Sequence, residues 1–196
     1  FAPTGLPAFL PEAEQLAAAL RAMTPGELKK LWGCNESIAA LNLERLPRRM
    51  VVMGGGVIGL ELASAFAAYG TEITVIEMLP ALLPRDQKEA AGMVVSALKK
   101  KGIRILTGAK TLRVEKTDGG LRAVYELDGK EDAVDADQVL MAVGRRPNLS
   151  GVDAEALGLK LSEKKHILVD SAQRTNLEGV YAIGDVAGGI QLAHAA

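Results

Sequence analysis

The sequence predicts an α/β fold, and three observations on the 196-residue chain lead to this prediction. Apolar segments typical of buried strands alternate with helical segments between residues 49 and 106. A glycine-rich segment stands between the first of these strands and the first helix. A period-two pattern typical of antiparallel strands follows from residue 110. The alternation predicts a parallel sheet with crossover helices, to which an antiparallel meander is added.

Each element is predicted from its local pattern. Short β-branched runs predict buried strands, and segments rich in alanine and leucine predict helices. The predicted elements of the parallel sheet are the strands 49–53, 72–76, 103–106 and 138–143 and the helices 57–69 and 87–101. The predicted meander strands are 112–114, 121–127 and 133–134, and two more strands are predicted at 166–170 and 179–183.

The first 46 residues have a different character and predict an all-helical segment. Apolar residues from Phe9 to Leu20 recur at helical spacing, and Thr24 has the sequence context of an N-cap. Asn35 or Ser37 caps a further predicted helix. We therefore predict three parts: a helical appendage over 1–46, a nucleotide-binding domain over 47–148, and a segment of an incomplete second domain over 149–196.

Composition and charge exclude several classes of protein. The formal net charge of −1 disfavours a general nucleic-acid-binding surface. Cys34 is the single cysteine, so no disulfide forms within the chain, and with two histidines a protein-only metal site is not expected. This cysteine content fits a reducing, cytoplasmic setting. The apolar stretch 50–70 contains Glu61 and four glycines within six residues, which argues against a membrane span.

The segment Gly54-Gly55-Gly56-Val57-Ile58-Gly59 fits the pattern G-x-G-x-x-G between a strand and a helix. Gly54 permits the tight turn, Gly56 lets the backbone approach a pyrophosphate, and Gly59 lets helix and strand pack closely. The helix that begins at Val57 presents its N–H groups and its positive dipole end to the phosphates. This context predicts a Rossmann-like dinucleotide-binding fold. The alternative is a glycine-rich turn without a ligand.

An acidic residue, Glu77, follows eighteen residues after the last of these glycines, at the end of the second predicted strand. A carboxylate at this place accepts hydrogen bonds from the adenosine ribose hydroxyls and repels a 2′-phosphate. No arginine follows directly, since the next residues are Met78, Leu79 and Pro80. We therefore predict NAD(H) rather than NADP(H) as the cofactor, unless Arg85 folds back towards the ribose.

Five motifs of residues 47–196 carry a resemblance to a known family. They are PRRMVVM at 47–53, GLE at 59–61, VIEM at 75–78, MAVGRRPN at 141–148 and YAIGD at 181–185. The region is similar to the pyridine nucleotide–disulfide oxidoreductases, and most similar to the dihydrolipoamide dehydrogenases. The resemblance implies an oxidoreductase domain that positions NAD(H) against FAD for hydride transfer.

The resemblance implies roles for individual residues. Glu61 would lie by the nicotinamide and pair with a lysine of the FAD domain, and Asp185 would bind the FAD ribitol. The strand end Ala142-Val143-Gly144 would line the NAD site through its backbone. Met78 belongs to the matched motif beside Glu77 and is included among the candidate cofactor-binding residues.

Simpler interpretations exist for the polar residues nearby. Arg145 and Arg146 fit a solvated turn, and His166 fits a strand residue without a special role. The segment Gln191-Leu192-Ala193-His194 matches one that runs past the flavin ring in the family. His194 would contact flavin through its backbone, so no catalytic residue is predicted.

Three parts of that family's machinery have no counterpart in this sequence. No glycine motif of an FAD domain precedes residue 47, and Cys34 has no second cysteine with which to exchange a disulfide. The family's acid–base His-Glu pair belongs to a dimer domain that is also missing from the sequence. We expect NAD(H) binding without catalysis, and weak FAD binding, for which Asp185 is nearly the only contact.

Two alternatives stay open from the sequence. Residues 9–14, 31–35 and 38–45 are similar to the start of the YaaA-like peroxide-stress proteins, in which a helix-hairpin-helix is linked to DNA binding. A DNA-binding or NADH-sensing module would then use the cations Lys29, Lys30, Arg45, Arg48 and Arg49. The other alternative is a remnant with an empty glycine loop. Its exposed Val180, Ile183 and Leu192 would favour self-association or an FAD-domain partner.

Overall fold

The structure is a computed structural model that describes residues 34–35, 40–41, 43–84, 86–145, 147–149 and 151–189. These residues form two compact units, of which one ends at Gly144 and the other begins at Arg145. Among the residues described, no helix is long and apolar enough to cross a membrane.

The first unit is built on a five-stranded sheet in which every neighbouring pair of strands is parallel. Its strands are β1 (Cys34–Asn35), β2 (Arg49–Met53), β3 (Glu72–Glu77), β4 (Arg104–Thr107) and β8 (Gln138–Met141), in the order β1-β8-β2-β3-β4. Helix α1 (Val57–Ala68) connects β2 to β3, and helix α2 (Lys88–Lys100) connects β3 to β4. The predicted α/β fold is confirmed, and from β2 onwards the predicted elements of this sheet end within two residues of the observed ones.

The central strands β2, β3 and β8 are buried on both faces of the parallel sheet, which explains their nearly continuous apolar sequences. On one face, Met50 and Val52 of β2 pack with Leu60 of α1 in a core that lies under the two helices. On the other face, Val51 and Met53 pack in a second core under the meander. Successive side chains of β2 point to opposite faces of the sheet. The unit therefore has three layers: the helices, the parallel sheet and the meander.

The antiparallel meander consists of β5 (Lys110–Thr117), β6 (Gly120–Leu127) and β7 (Lys130–Ala136), as the period-two pattern predicts. Tyr125 on β6 is buried, and its hydroxyl donates to the carboxylate of Asp132 on β7 at 3.0 Å. Burial, and then this hydrogen bond, raises the pKa of Tyr125. The apolar face of the meander thus closes the second core of the unit.

Asp137 joins the end of the meander to the start of β2. Its Oδ2 accepts hydrogen bonds from the backbone N–H groups of Arg48 and Arg49, at 2.9 and 3.0 Å. Its Oδ1 accepts from the Arg49 guanidinium at 3.1 Å. Partial burial acts to raise the pKa of Asp137, but these hydrogen bonds outweigh burial and hold the pKa below its usual value.

Two residues of the segment that we expected to be all-helical form a strand instead. Cys34 and Asn35 pair in parallel with Val139 and Leu140 of β8. This pairing satisfies backbone groups at an edge of β8 that would otherwise be open. Ala40, which is helical, is only 1% exposed and belongs to the core under the helices. The helices predicted before residue 34 lie outside the described residues.

The second unit lacks the two strands that we predicted at 166–170 and 179–183, so that prediction is wrong. Each segment forms one isolated antiparallel bridge, Leu161 with Ile167 and Arg174 with Tyr181. The chain turns close to each bridge, with Lys165 and Gln173 in the left-handed region, and the pairing does not extend into a ladder. A single 3₁₀ turn, Gly184–Val186, follows.

Candidate functional site

The glycine-rich loop lies where the strand order of the parallel sheet reverses. The chain passes from β2 to β3 and β4 on one side, and it returns on the other side of β2 through β8. The carboxyl ends of β2 and β8 are adjacent, and the N–H of Ala142 donates to the carbonyl of Met53 at 2.8 Å. In open α/β sheets, ligands bind in the crevice beyond the strand ends at such a point.

Two glycines of the motif are required by contacts within the protein. Gly54 has a φ of +105°, and a Cβ there would overlap the carbonyl oxygen of Ala142. At Gly59 in α1, a Cβ would lie 2.6 Å from the Gly54 carbonyl oxygen and 3.1 Å from the Ala142 side chain. These positions make the tight turn and the close helix–strand packing that the motif predicts.

Gly56 differs, because, apart from its own chain neighbours, no described residue has an atom within 4 Å of the place where a Cβ would lie. It is the N-cap of α1, with no side-chain cap, and the first turn of α1 contains no acidic residue. Val57 is 53% exposed and Ile58 is half-buried. The space above Gly56 and the amide end of α1 together leave room for an anionic group of a ligand.

Glu77 lies beside this loop, as its position at the end of β3 predicts. Its Oε2 accepts a hydrogen bond from the Gly55 N–H at 2.5 Å, and its Oε1 accepts from the Leu79 N–H at 2.7 Å. The carboxylate is therefore fixed against the glycine loop by two backbone donors. Met78, the next residue, is half-buried.

A fourth glycine, Gly55, has a fixed environment that the G-x-G-x-x-G pattern does not predict. Gly55 is buried, and a Cβ there would overlap Cδ2 of Leu82 and lie 3.1 Å from the Glu77 side chain. The general pattern leaves this position free. The only signal in the sequence is that three glycines stand in a row where the pattern needs two.

The remaining candidates of the first unit lie around the same strand ends. Val143 and Gly144 are exposed after β8, while Ala142 is half-buried against the glycine loop. Glu61 is exposed on α1, one turn after Val57. The structure thus brings the candidate residues of this unit to the carboxyl edge of the sheet, and the binding roles of these residues stay predictions.

The second unit contains Asp185 in its 3₁₀ turn. Its Oδ2 accepts from the Arg145 guanidinium at 3.2 Å, and both side chains of this ion pair are about half exposed to solvent. His166 packs its ring near Gly188, and its Nε2 is buried without a hydrogen-bond partner. Arg85, Arg146 and the segment 191–194 lie outside the described residues.

The described residues fit the two implied cofactors unequally. For NAD(H), the first unit offers an open space at Gly56, a helix N-terminus and a carboxylate beside the loop. For FAD, the described part of the second unit offers one candidate, Asp185, whose carboxylate is already paired with Arg145. The residues therefore fit a nicotinamide dinucleotide, whereas they do not make a flavin site.

The described cations do not decide the DNA-binding alternative. The Arg49 guanidinium is engaged by Asp137, whereas Arg45 and Arg48 are exposed. Lys29 and Lys30 lie outside the described residues. This alternative therefore stays untested.

The parallel sheet with its glycine loop at the switch point, together with the antiparallel meander, defines the Rossmann-like FAD/NAD-binding fold of flavoprotein reductases. The sequence profile of the family described as pyridine nucleotide-disulphide oxidoreductase matches residues 17–196. The chain belongs to this family. The match begins thirty residues before the boundary that we predict at residue 47, and so includes part of the segment that resembles the YaaA-like proteins.

Relatives and solved structures agree with this membership. Dihydrolipoyl dehydrogenase of Staphylococcus aureus is 42% identical over 161 residues, which are 82% of this chain and 34% of that protein. Dihydrolipoyl dehydrogenase of Geobacillus stearothermophilus is 40% identical over 161 residues, which are again 82% of this chain and 34% of that protein. The Cu(II) complex of the HOCl-induced flavoprotein disulfide reductase RclA from Escherichia coli has a TM-score of 0.77 and 29% identity, over 86% of this chain and 38% of that one. The chain spans about a third of the length of these relatives.

Proposed function

We propose that this chain is the NAD(H)-binding domain of a flavoprotein disulfide oxidoreductase similar to dihydrolipoamide dehydrogenase. In this role it positions NAD(H) for hydride exchange with FAD. The observation that carries the proposal is the open space at Gly56, at the N-terminus of α1 and at the switch point of the sheet. The nicotinamide supplies the hydride chemistry when the cofactor is bound, and the residues of this chain bind and orient it.

The candidate residues around the strand ends bind different parts of NAD(H) in this proposal. The N–H groups at Val57 and Ile58 bind the pyrophosphate, and Gly56 lets it approach the backbone. Glu77 accepts hydrogen bonds from the adenosine ribose. The strand end at 142–144 and Glu61 lie at the nicotinamide end of the site.

We propose NAD(H) rather than NADP(H) because the Glu77 carboxylate lies beside the glycine loop, where a 2′-phosphate would meet a like charge. NADH should bind the chain more tightly than NADPH. Comparable affinities for the two cofactors, measured by calorimetric titration, would contradict this preference.

The flavin belongs to a partner in this proposal. Asp185 is the contact that this chain contributes to FAD, and its pairing with Arg145 is consistent with weak FAD binding by the chain alone. Substrate and partner follow from the relatives only by analogy, because the chain covers about a third of their length. We propose the cytoplasm as its compartment, since a single cysteine suits a reducing environment.

A titration with two matched glycine variants tests the proposal. In Gly56→Val, the new side chain occupies the open space and blocks the pyrophosphate, so NADH affinity falls about tenfold or more. The control Gly92→Val changes a residue of α2 whose Cβ position is equally open. This variant should bind NADH as tightly as the unaltered chain does. Binding of NADH by the unaltered chain, with a Kd of about micromolar to sub-millimolar, is the expected baseline. Equal affinity of Gly56→Val and the unaltered chain would exclude this site.

A further inference from the structure

The segment Leu79–Pro84, which follows β3, folds back onto the glycine loop. Leu82 is 4% exposed and lies in the core under the helices, with its Cδ2 directly over Gly55. The next residue, Leu83, donates its N–H to the Gly55 carbonyl at 3.0 Å. We call Leu79–Pro84 the buttress segment.

The peptide groups of Gly55 are held on both sides by β3 and the buttress segment. Its N–H donates to Glu77 Oε2, and its carbonyl accepts from Leu83. The segment itself is anchored at its start, where the Leu79 carbonyl accepts from the Gly108 N–H at 2.9 Å. Leu83 has a φ of +51°, which is unfavourable for a residue with a side chain, so these contacts hold a conformation that the isolated segment would avoid.

The same contacts fix the direction of the Glu77 carboxylate. A carboxylate offers about four lone pairs, and two backbone donors, at Gly55 and Leu79, use one on each oxygen. One acceptor position is left on each oxygen, which suits the two neighbouring hydroxyls of a ribose. A carboxylate held in this way does not swing aside for a phosphate.

We propose that the buttress segment, through the contact of Leu82 with Gly55, is a specificity-determining element that selects a free ribose diol over a 2′-phosphorylated one. Leu82 is a positioning residue here, since it acts through Gly55 and Glu77. The inference rests on the proposed NAD(H) site and goes beyond it. Selectivity then depends on how firmly the acid is held as well as on its charge.

Truncation of Leu82 gives the first test, on the full 196-residue chain. Leu82→Ala should weaken NADH binding about tenfold and lower the NADH/NADPH affinity ratio about fivefold, because Glu77 loses its fixed direction. Leu98→Ala is the matched control, since Leu98 is also 4% exposed in the same core but lies on α2. It should destabilise the chain to a similar degree and leave the ratio unchanged. Leu82→Met, which keeps the volume, should restore the ratio.

A double substitution tests whether Leu82 and Gly55 act through one contact. Gly55→Ala alone places a methyl group against Leu82 and Glu77 and should abolish selective NADH binding. Gly55→Ala combined with Leu82→Ala removes the overlapping methyl group, and a substantial part of the affinity should return. Additive losses in the double variant would overturn the proposed contact.

Amide hydrogen exchange gives a measurement that needs no cofactor. The Gly55 amide should exchange about tenfold faster in Leu82→Ala than in Leu98→Ala, relative to each variant's global stability. Unchanged protection of Gly55, or an unchanged NADH/NADPH ratio in Leu82→Ala, would overturn the inference. Failure of the unaltered chain to bind NADH would instead refute the proposed function, and the exchange experiment would still decide whether Leu82 holds the loop.

Discussion

At the scale of single residues, Asp137 makes the hydrogen bonds whose removal is simplest to measure. Asp137→Ala removes the acceptor for two backbone N–H groups and for the Arg49 guanidinium. We expect the free energy of unfolding to fall by about 1–3 kcal/mol, because these donors lose their partner. Urea unfolding measures the loss. Asp118→Ala removes the same charge from an exposed turn and should change stability little.

Because the pKa of Asp137 is lowered in the folded chain, the stability difference between the unaltered chain and Asp137→Ala depends on pH. The folded pKa lies below the usual value of 3.8, because hydrogen bonds from Arg49 and Arg48 outweigh burial. The stabilisation is therefore complete above the unfolded pKa, and it is lost as the pH falls from there through the folded pKa. The stability difference between the unaltered chain and Asp137→Ala should be constant from neutral pH down to about 5 and shrink below about 4. A difference that grows on acidification would contradict this interpretation.

Residue-level prediction from sequence succeeds where the cause is local. The turn at Gly54 and the packing at Gly59 follow from a six-residue pattern, and the structure gives both a steric reason. The constraint on Gly55 comes from Leu82, a residue 27 positions later in the sequence. No local pattern reports a contact at that separation, so this part of the candidate site needed the structure.

At the scale of elements, the packing of α1 on β2 depends on a small residue at position 59. Gly59→Ala places a Cβ 2.6 Å from a backbone oxygen and 3.3 Å from the Val52 side chain, so α1 has to move away from the sheet. We expect the free energy of unfolding, measured by heat or urea, to fall by about 1–3 kcal/mol, and NADH binding to weaken.

The matched control for this substitution is Gly92→Ala in α2. A Cβ at Gly92 meets no atom within 4 Å, so alanine gains helix propensity there without overlap. We expect Gly92→Ala to raise the free energy of unfolding by about 0.5–1 kcal/mol. A loss at Gly92 equal to that at Gly59 would show that helix backbone effects, rather than the contact with the sheet, control stability.

Elements were predictable where burial imposes a strong pattern. Strands β2 and β3 are buried apolar runs and β4 is a half-buried one, and their type and their parallel arrangement follow from the sequence. Strand β1 was not predictable, because two residues contain no period and the pairing depends on the edge of β8. The apolar run at 179–183 predicts a strand, but in the described residues it forms only one bridge.

At the scale of the whole molecule, the second unit exposes three apolar side chains that lie close together in the sequence. Val180, Tyr181 and Ile183 are 40%, 62% and 61% exposed. Exposed apolar surfaces of this kind favour association, which buries them. The region that the chain matches is 34% of the Staphylococcus aureus relative, so that relative has further surface with which it could cover such residues.

We therefore expect the isolated chain to self-associate through this surface. The apparent mass in sedimentation or light scattering should rise with protein concentration, and Tyr181→Ser with Ile183→Ser should suppress the rise. Leu157→Ser is the control, because Leu157 is 55% exposed in the same unit but belongs to a different turn. Since the proposed NAD(H) site lies in the first unit, NADH affinity should be the same for the double variant and the unaltered chain. A monomer at all concentrations would contradict the role of this surface, and suppression by Leu157→Ser alone would place the contact elsewhere in the unit.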